Sequence, residues 1–307
     1  MSKPEPTPAR HRRKPGHVPW FASLPALIIG ALFTIGPLLV VIAMSFMTRP
    51  AQGGGVVYQF STDAYRTFLF TKNFTGQLTF NTAYVEVFWR SIGQAAITTV
   101  ICFVLAFPLA LWIATRSEKL QNFLVLVVTI PFWTNLLVRT YAWILVLNKD
   151  GILNQASIAL GLGPKELLYT DTASQLGLIY TFLPFMVLPL YASLSGFDFR
   201  LAEAAYDLGA RKLTVLRRVI LPMAKPGIIS GLLLVFMPAL GSYVQPVLLG
   251  GGKVLLMGNL IASQFGDSRN WPFGAALSVI SLLMLALALL AVQLWARRSG
   301  TKVSLSL

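Results

Sequence analysis

The sequence is poor in the residues that usually do chemistry. It holds one cysteine, Cys102, and two histidines, His11 and His17, in 307 residues. A lone cysteine in an apolar run excludes an intrachain disulfide and a cysteine-built metal site. Both histidines fall in a proline-rich basic stretch at the start, so no Ser-His-Asp arrangement is available and no metal centre is expected. Charged residues make up only 12% of the chain, against about 25% in an ordinary soluble domain. Acids are scarcer still, eleven in all, and each lies in a loop, a tail or the edge of an apolar run. That excludes two facing carboxylates acting as acid and base, and it leaves a gradient-driven transporter without its usual ion site near the bilayer centre. The segment Gly250 to Lys253 invites comparison with a phosphate loop and fails it. No glycine stands where G-x-x-x-x-G-K needs one, and Val254 follows the lysine instead of Ser or Thr. The chain is therefore expected not to be an enzyme and to bind no cofactor itself, so energy must come from a partner or from an ion gradient.

What is present is hydrocarbon. Hydrophobic residues account for 55% of the chain and the mean hydropathy is +0.68, the signature of an all-α polytopic membrane protein. The length suits six transmembrane helices of about 20 residues each. The runs place them at Trp20 to Met47, Ser91 to Thr115, Asn122 to Leu147, Gln175 to Gly196, Ala224 to Pro246 and Pro272 to Trp295. Residues 1–19 form a basic tail expected to be disordered, 20–298 one six-span domain, and 299–307 a short second tail. The first run is longer than a signal-peptide core and lacks a small-residue cleavage site, so it is expected to stay as a span. Loop 48–90 is either a partner-contacting surface or an interfacial connector. A short helix is expected before the Gly161 to Pro164 break, and 247–271 is expected to be a long glycine-rich loop. The formal charge of +14 follows topology and does not point to nucleic acid. With both termini and the 197–223 loop placed in the cytoplasm, that side carries sixteen Lys/Arg against five acids, while the outer loops carry eight against six. This is the positive-inside asymmetry.

One polar stretch interrupts the apolar chain: Leu201 to Pro222, LAEAAYDLGARKLTVLRRVILP. Helical spacing places Leu201, Ala204, Ala205 and Leu208 on one apolar face, with Glu203, Asp207 and Arg211 climbing another at i, i+4. Gly209 interrupts with a bent or left-handed backbone. A second short run follows, with Leu213, Leu216 and Ile220 facing one way, and Pro222 closes it. An amphipathic interfacial helix with snorkelling cations would account for the basic residues, but not for Ala-Ala, Gly and Pro at these offsets. The arrangement of Glu203, Ala204, Ala205, Gly209, Leu221 and Pro222 resembles the cytoplasmic EAA loop of ABC importer permeases. Val219 stands where that motif more often has Ile. The resemblance implies a helix-turn-helix that docks on an ATP-hydrolysing subunit; Glu203 offers a carboxylate near the docking surface, and Asp207 is a further candidate for coupling.

The third run, PFWTNLLVRTYAWILVL, carries Arg139. On a continuous helix Asn135, Arg139 and Trp143 share one face, while Trp133, Leu137 and Ile144 lie opposite; Arg139 either snorkels toward the outer end or turns inward. This run, GLIYTFLPFMVLPLYASL in the fourth span, and GGGKVLLMGNLIASQF followed by WPFGAALS near the sixth are similar to the B-type permeases of spermidine/putrescine ABC importers over about residues 20–298. The resemblance implies a type I importer permease fold in a bacterial inner membrane, half of a heterodimer with a second permease. It also implies a periplasmic solute-binding protein and a dimer of ATPase subunits that bind ATP and Mg. Wider relatives carry other amines, opines and amino-acid-like solutes. A cation path without intramembrane acids is physically sound, because aromatic faces attract ammonium groups by about 0.5 to 2 kcal/mol. Asn135, Arg139, Tyr141, Trp143, Tyr243 and Gln245 are the candidates for its lining, with outer interfacial anchoring as the competing role of the aromatics.

Overall fold

The computed structural model describes residues 24–72 and 77–298. The two tails and the start of the first span lie outside them. Helix α1 spans Leu24–Ser45. A small hairpin follows, β1 (Met47–Thr48) paired antiparallel with β2 (Val57–Phe60), then α2 (Asp63–Leu69). Ser61 Oγ accepts from the Asp63 N–H at 3.0 Å and satisfies one of the free donors of that helix start. A second hairpin joins β3 (Phe70–Lys72) to β4 (Leu78–Phe80). Loop 48–90 is thus built of two two-stranded pieces and a short helix, and Ala64 of α2 is buried in a cluster with Leu260 and Phe273.

Asn81 caps α3, Thr82–Ala114, whose 33 residues make a rod about 50 Å long at 1.5 Å per residue, well beyond a bilayer core. Next come α4 (Glu118–Trp133), α5 (Leu136–Leu147) and α6 (Ile152–Ala159), then α7 (Asp171–Ser195), capped by Thr170. After them lie α8 (Arg200–Asp207), α9 (Lys212–Val215), a single π turn (Leu216–Ile220) and α10 (Leu221–Leu240). The chain finishes with α11 (Val244–Leu248), α12 (Met257–Phe265) and α13 (Trp271–Arg298). Among the described residues five helical stretches are long and apolar enough to span a membrane, and α4 with the bent α5–α6 segment makes a sixth when the pair is counted as one broken span.

The core is the mutual packing of α3, α7 and α10. Small residues let the rods approach: Ala95, Ala106 and Ala110 of α3 meet Leu178, Met186 and Leu190 of α7 and Ala224 and Ala239 of α10. On α10, Gly227 and Gly231 form a small-xxx-small pair against α7. A Cβ at Gly227 would come within 2.5 Å of the Pro189 carbonyl, and one at Gly231 within 2.6 Å of Met186 Sδ. Polar ties fix the register: Gln175 Nε2 donates to Thr98 Oγ1 at 2.7 Å, and Gln245 Nε2 to Thr181 Oγ1 at 3.1 Å. Helix α1 packs along α13 at the side of this core.

Four sequence expectations need correction. The third span is not one helix: α4 and the segment from Leu136 onward meet at 89°. Thr134 and Asn135 are both extended there, and Pro131 has already removed an N–H from the preceding turn. The fifth span begins earlier and ends earlier than expected, because helix runs without a stop from Lys212 to Leu240. Pro222 does not close the amphipathic run. It lies inside that continuous helix, at the second residue of α10, directly after the π turn that accommodates its missing N–H. Lastly, 247–271 is not loop throughout. Met257–Phe265 forms α12, which packs on α13 and donates the Met257 N–H to Ser91 Oγ of α3 at 2.8 Å. The glycines around it mask its helical period in the sequence.

Candidate functional site

Two places stand apart from the packed core. The first is the turn between α8 and α9. Asp198 Oδ1 accepts from the Arg200 N–H at 3.0 Å and starts α8. The helix ends in a Schellman motif: Ala210 N–H donates to Ala205 C=O at 3.0 Å and Gly209 N–H to Tyr206 C=O at 2.8 Å. Gly209 has φ +80°, the left-handed conformation such an end requires, and a Cβ there would meet nothing within 4 Å. The spacing from Ala205 to Gly209 therefore has a backbone cause. The small Ala205 and Ala210 also let the turn lie against the core cluster.

The buried face of α8 differs from the one its apolar spacing indicates. Ala202 is buried at 6% exposure and Ala205 half-buried, whereas Leu201 and Ala204 are exposed and Leu208 is 89% exposed. The reason is size, since only small side chains fit where α8 crosses the base of the bundle. In the second run Val215 and Ile220 are buried and Leu216 partly so, while Leu213 is exposed. Leu221 is half-buried, and Pro222, Glu203 and Asp207 are exposed. Glu203 suits the first turn of α8, but Asp207 lies in its last turn, where an acid opposes the helix dipole. The result is a stripe of unpartnered apolar groups (Leu201, Ala204, Leu208, Leu213) flanked by acids. It is held rigidly, because Phe197, Ala202, Val215 and Ile220 belong to the same buried cluster as α3, α7 and α10.

The second place is the break between α4 and α5. Asn135 caps α5 by accepting from the Leu137 N–H at 2.8 Å, so it does not extend a face with Arg139 and Trp143 on a continuous helix. The Pro131 carbonyl, freed by the break, accepts from Thr134 Oγ1 at 2.7 Å and from Arg139 Nη1 at 3.0 Å. Arg139 is 9% exposed and its guanidinium carbon lies 5.7 Å from the Tyr180 ring centroid. Trp143 meets the same ring edge-on at 5.5 Å. These residues, with Ala142 and Val146, line a cavity of about 210 Å³.

The other candidates are placed differently. Tyr141 and Tyr243 are exposed. Gln245 is 3% exposed, accepts from Ser242 Oγ at 2.6 Å and donates to Thr181, so its amide is used within the chain. Sequence reading missed Tyr180, which receives both Arg139 and Trp143. It also missed a groove where Arg90 Nη2 holds both carboxylate oxygens of Asp171 at 2.6 Å beside Gln94 and Gln175. Each lies on a different span from the residues it meets, and no local spacing records such a contact. Among the described residues no cluster of His, Cys, Asp and Glu has metal-binding geometry.

Comparison with known proteins agrees with this architecture. Residues 106–304 match the model of the binding-protein-dependent transport system inner membrane component family. The chain is 42% identical over 257 residues to the spermidine/putrescine transport system permease protein PotB of Haemophilus influenzae, covering 83% of this chain and 86% of that one. To PotB of Escherichia coli K12 it is 40% identical over 276 residues, covering 89% and 96%. Among solved structures, a bacterial ABC transporter that imports the acidic polysaccharide alginate superposes with a TM-score of 0.72 at 16% identity, covering 91% of this chain and 94% of that one. The common fold of six spans around a tight three-helix core is that of a type I importer permease, and the chain belongs to the family of binding-protein-dependent transport system inner membrane components.

Proposed function

We propose that this chain is the permease subunit of an ATP-driven importer that carries spermidine, putrescine or a related amine across the bacterial inner membrane. The observation that carries the reading is the likeness to spermidine/putrescine permeases across nearly their whole length. The coupling turn adds a mechanical part. Its apolar stripe docks on an ATPase subunit, which binds ATP and Mg, and its anchorage in the core passes that subunit's movement to α3, α7 and α10. Both termini and the turn face the cytoplasm in this reading, which the charge asymmetry supports. A second permease completes the path, and a periplasmic binding protein delivers cargo and sets most of the selectivity. The exposed rings of Tyr141 and Tyr243 offer passing ammonium groups weak cation–π contacts, while Gln245 fixes α11 beside them.

The test is reconstitution. The complex of two permeases, ATPase and binding protein, supplied with ATP, accumulates labelled spermidine, whereas this chain alone under a proton or sodium gradient accumulates none. Uptake by the chain alone would assign it to the gradient-driven class. One observation favours a different cargo: a buried guanidinium suits a solute bearing both an amine and a carboxylate, such as an opine. Competition separates the two, because an amine importer is inhibited by putrescine and not by an opine.

A further inference from the structure

The side chain of Arg139 is incompletely satisfied. Its charge is buried, and its Nε has no hydrogen-bond partner among the described residues. Nη1 is occupied by the Pro131 carbonyl. What remains is the edge formed by Nε and Nη2, the edge along which a carboxylate docks with two parallel bonds. The ion pairs within the described chain are Arg90 with Asp171 and Lys149 with Glu166, so Arg139 takes part in neither. A guanidinium shielded from water with one carbonyl and one aromatic ring for company is strongly penalised, and the cavity beside it is the place where the missing group can sit.

We propose that Arg139 is half of an ion pair between subunits, completed by an Asp or Glu side chain of the second permease that enters the cavity between α5 and α7. The proposal rests on the reading of this chain as one of two permeases. An acid is required by charge, and the amine cargo cannot supply it. A lipid phosphate fits poorly: the cavity walls of Ala142, Trp143 and Val146 are apolar, and no second cation lines the cavity to help hold a phosphodiester. A carboxylate on a facing helix needs only the Nε–Nη2 edge, whose Nε is buried without a hydrogen-bond partner. Val138, Ala142 and Leu145, on the side of α5 that borders the cavity, give an exposed apolar surface against which that helix would lie. Closing the pair would tie the second permease to the α4–α5 break, so that movement of either subunit is felt at Tyr180.

The experiment places a photoreactive amino acid at Val146 in the otherwise unaltered complex of permeases, ATPase and binding protein. The expected product links this chain to a segment of the second permease with an Asp or Glu within one helical turn of the attachment point. Arg139→Glu is then expected to lower uptake by on the order of tenfold or more, as breaking a buried pair does. Exchanging the identified acid for Arg in the same complex should recover most of the loss, and Arg139→Lys, which keeps charge but not the fork, should recover an intermediate level. The proposal is overturned by cross-linking to lipid only, by a partner segment without an acid, by failure of the charge exchange, or by a carboxylate-bearing cargo displacing the cross-link. Absence of any second permease from the purified complex would instead overturn the functional reading beneath it.

Discussion

The coupling turn and the α4–α5 break are unfinished in opposite ways. At the turn, apolar side chains stand in the open: Leu208 is 89% exposed although the backbone around it is fully bonded. At the break, a charge is shut away: Arg139 is 9% exposed and its Nε is unpaired. Burial of Leu208 would stabilise by about 2 kcal/mol, and pairing of Arg139 would remove a desolvation penalty of several kcal/mol. Each region is therefore a half-site whose missing half has the opposite character, an apolar pocket in one case and an anion in the other. The α3–α7–α10 core lies between them and belongs to both.

The comparison breaks most completely if that common core is disturbed. Gly227→Ala puts a methyl group against the Pro189 carbonyl, a backbone atom that cannot swing aside, and is expected to cost about 2–3 kcal/mol. Gly231→Ala meets the flexible end of Met186 and should cost less. Thermal unfolding in detergent should rank the two variants, and only the first should lose both ATPase binding and uptake. Equal, small effects would mean that the tight α7–α10 approach is not needed.

Next in size is Leu208→Glu, which removes about 2 kcal/mol of burial available only in the complex. The unfolding temperature of the isolated chain should be unchanged, while the ATPase retained on purification falls at least about tenfold. Gly209→Val follows. At φ +80° with open space around the Cβ position, its cost is backbone strain of about 1–2 kcal/mol. Substrate-stimulated ATP hydrolysis should be lost with membrane insertion intact, and Gly209→Asn, which tolerates the left-handed region, should retain it. Normal hydrolysis by the Val variant would remove the turn from the coupling mechanism. Smallest is Trp143→Ala, which forfeits an edge-on pair with Tyr180 worth about 1 kcal/mol. It should lower uptake severalfold without changing the affinity of the binding protein, and Trp143→Phe should restore most of it.

The two regions also differed in how far the sequence revealed them. The turn was legible because its parts lie within six residues: Ala210 bonds back to Ala205 and Gly209 to Tyr206, and a glycine four after an alanine is a local signal. Even there the helical wheel grouped Leu201, Ala204, Ala205 and Leu208 on one apolar face without saying where it points, and only the crowding at the base of the bundle shows that Ala202 and Ala205 turn inward while Leu201 and Leu208 stay exposed. The break was illegible because its geometry depends on Asn135 acting as a cap and on Tyr180, 41 positions after Arg139 in the chain. A continuous helix through Thr134 satisfied every periodicity test. The α7–α10 contact lay between these extremes, since Gly227 and Gly231 stand four apart, but nothing in their spacing names Pro189 as the neighbour.

The central claim is that the exposed stripe of α8 is a docking surface for an ATPase and not an interfacial helix lying on lipid. A photoreactive residue at position 208, activated in native membranes, tests it directly. The account predicts a covalent product with the ATPase subunit, lost when Gly209 is changed to Val. A product with lipid alone, in membranes where the ATPase is present and active, would contradict it.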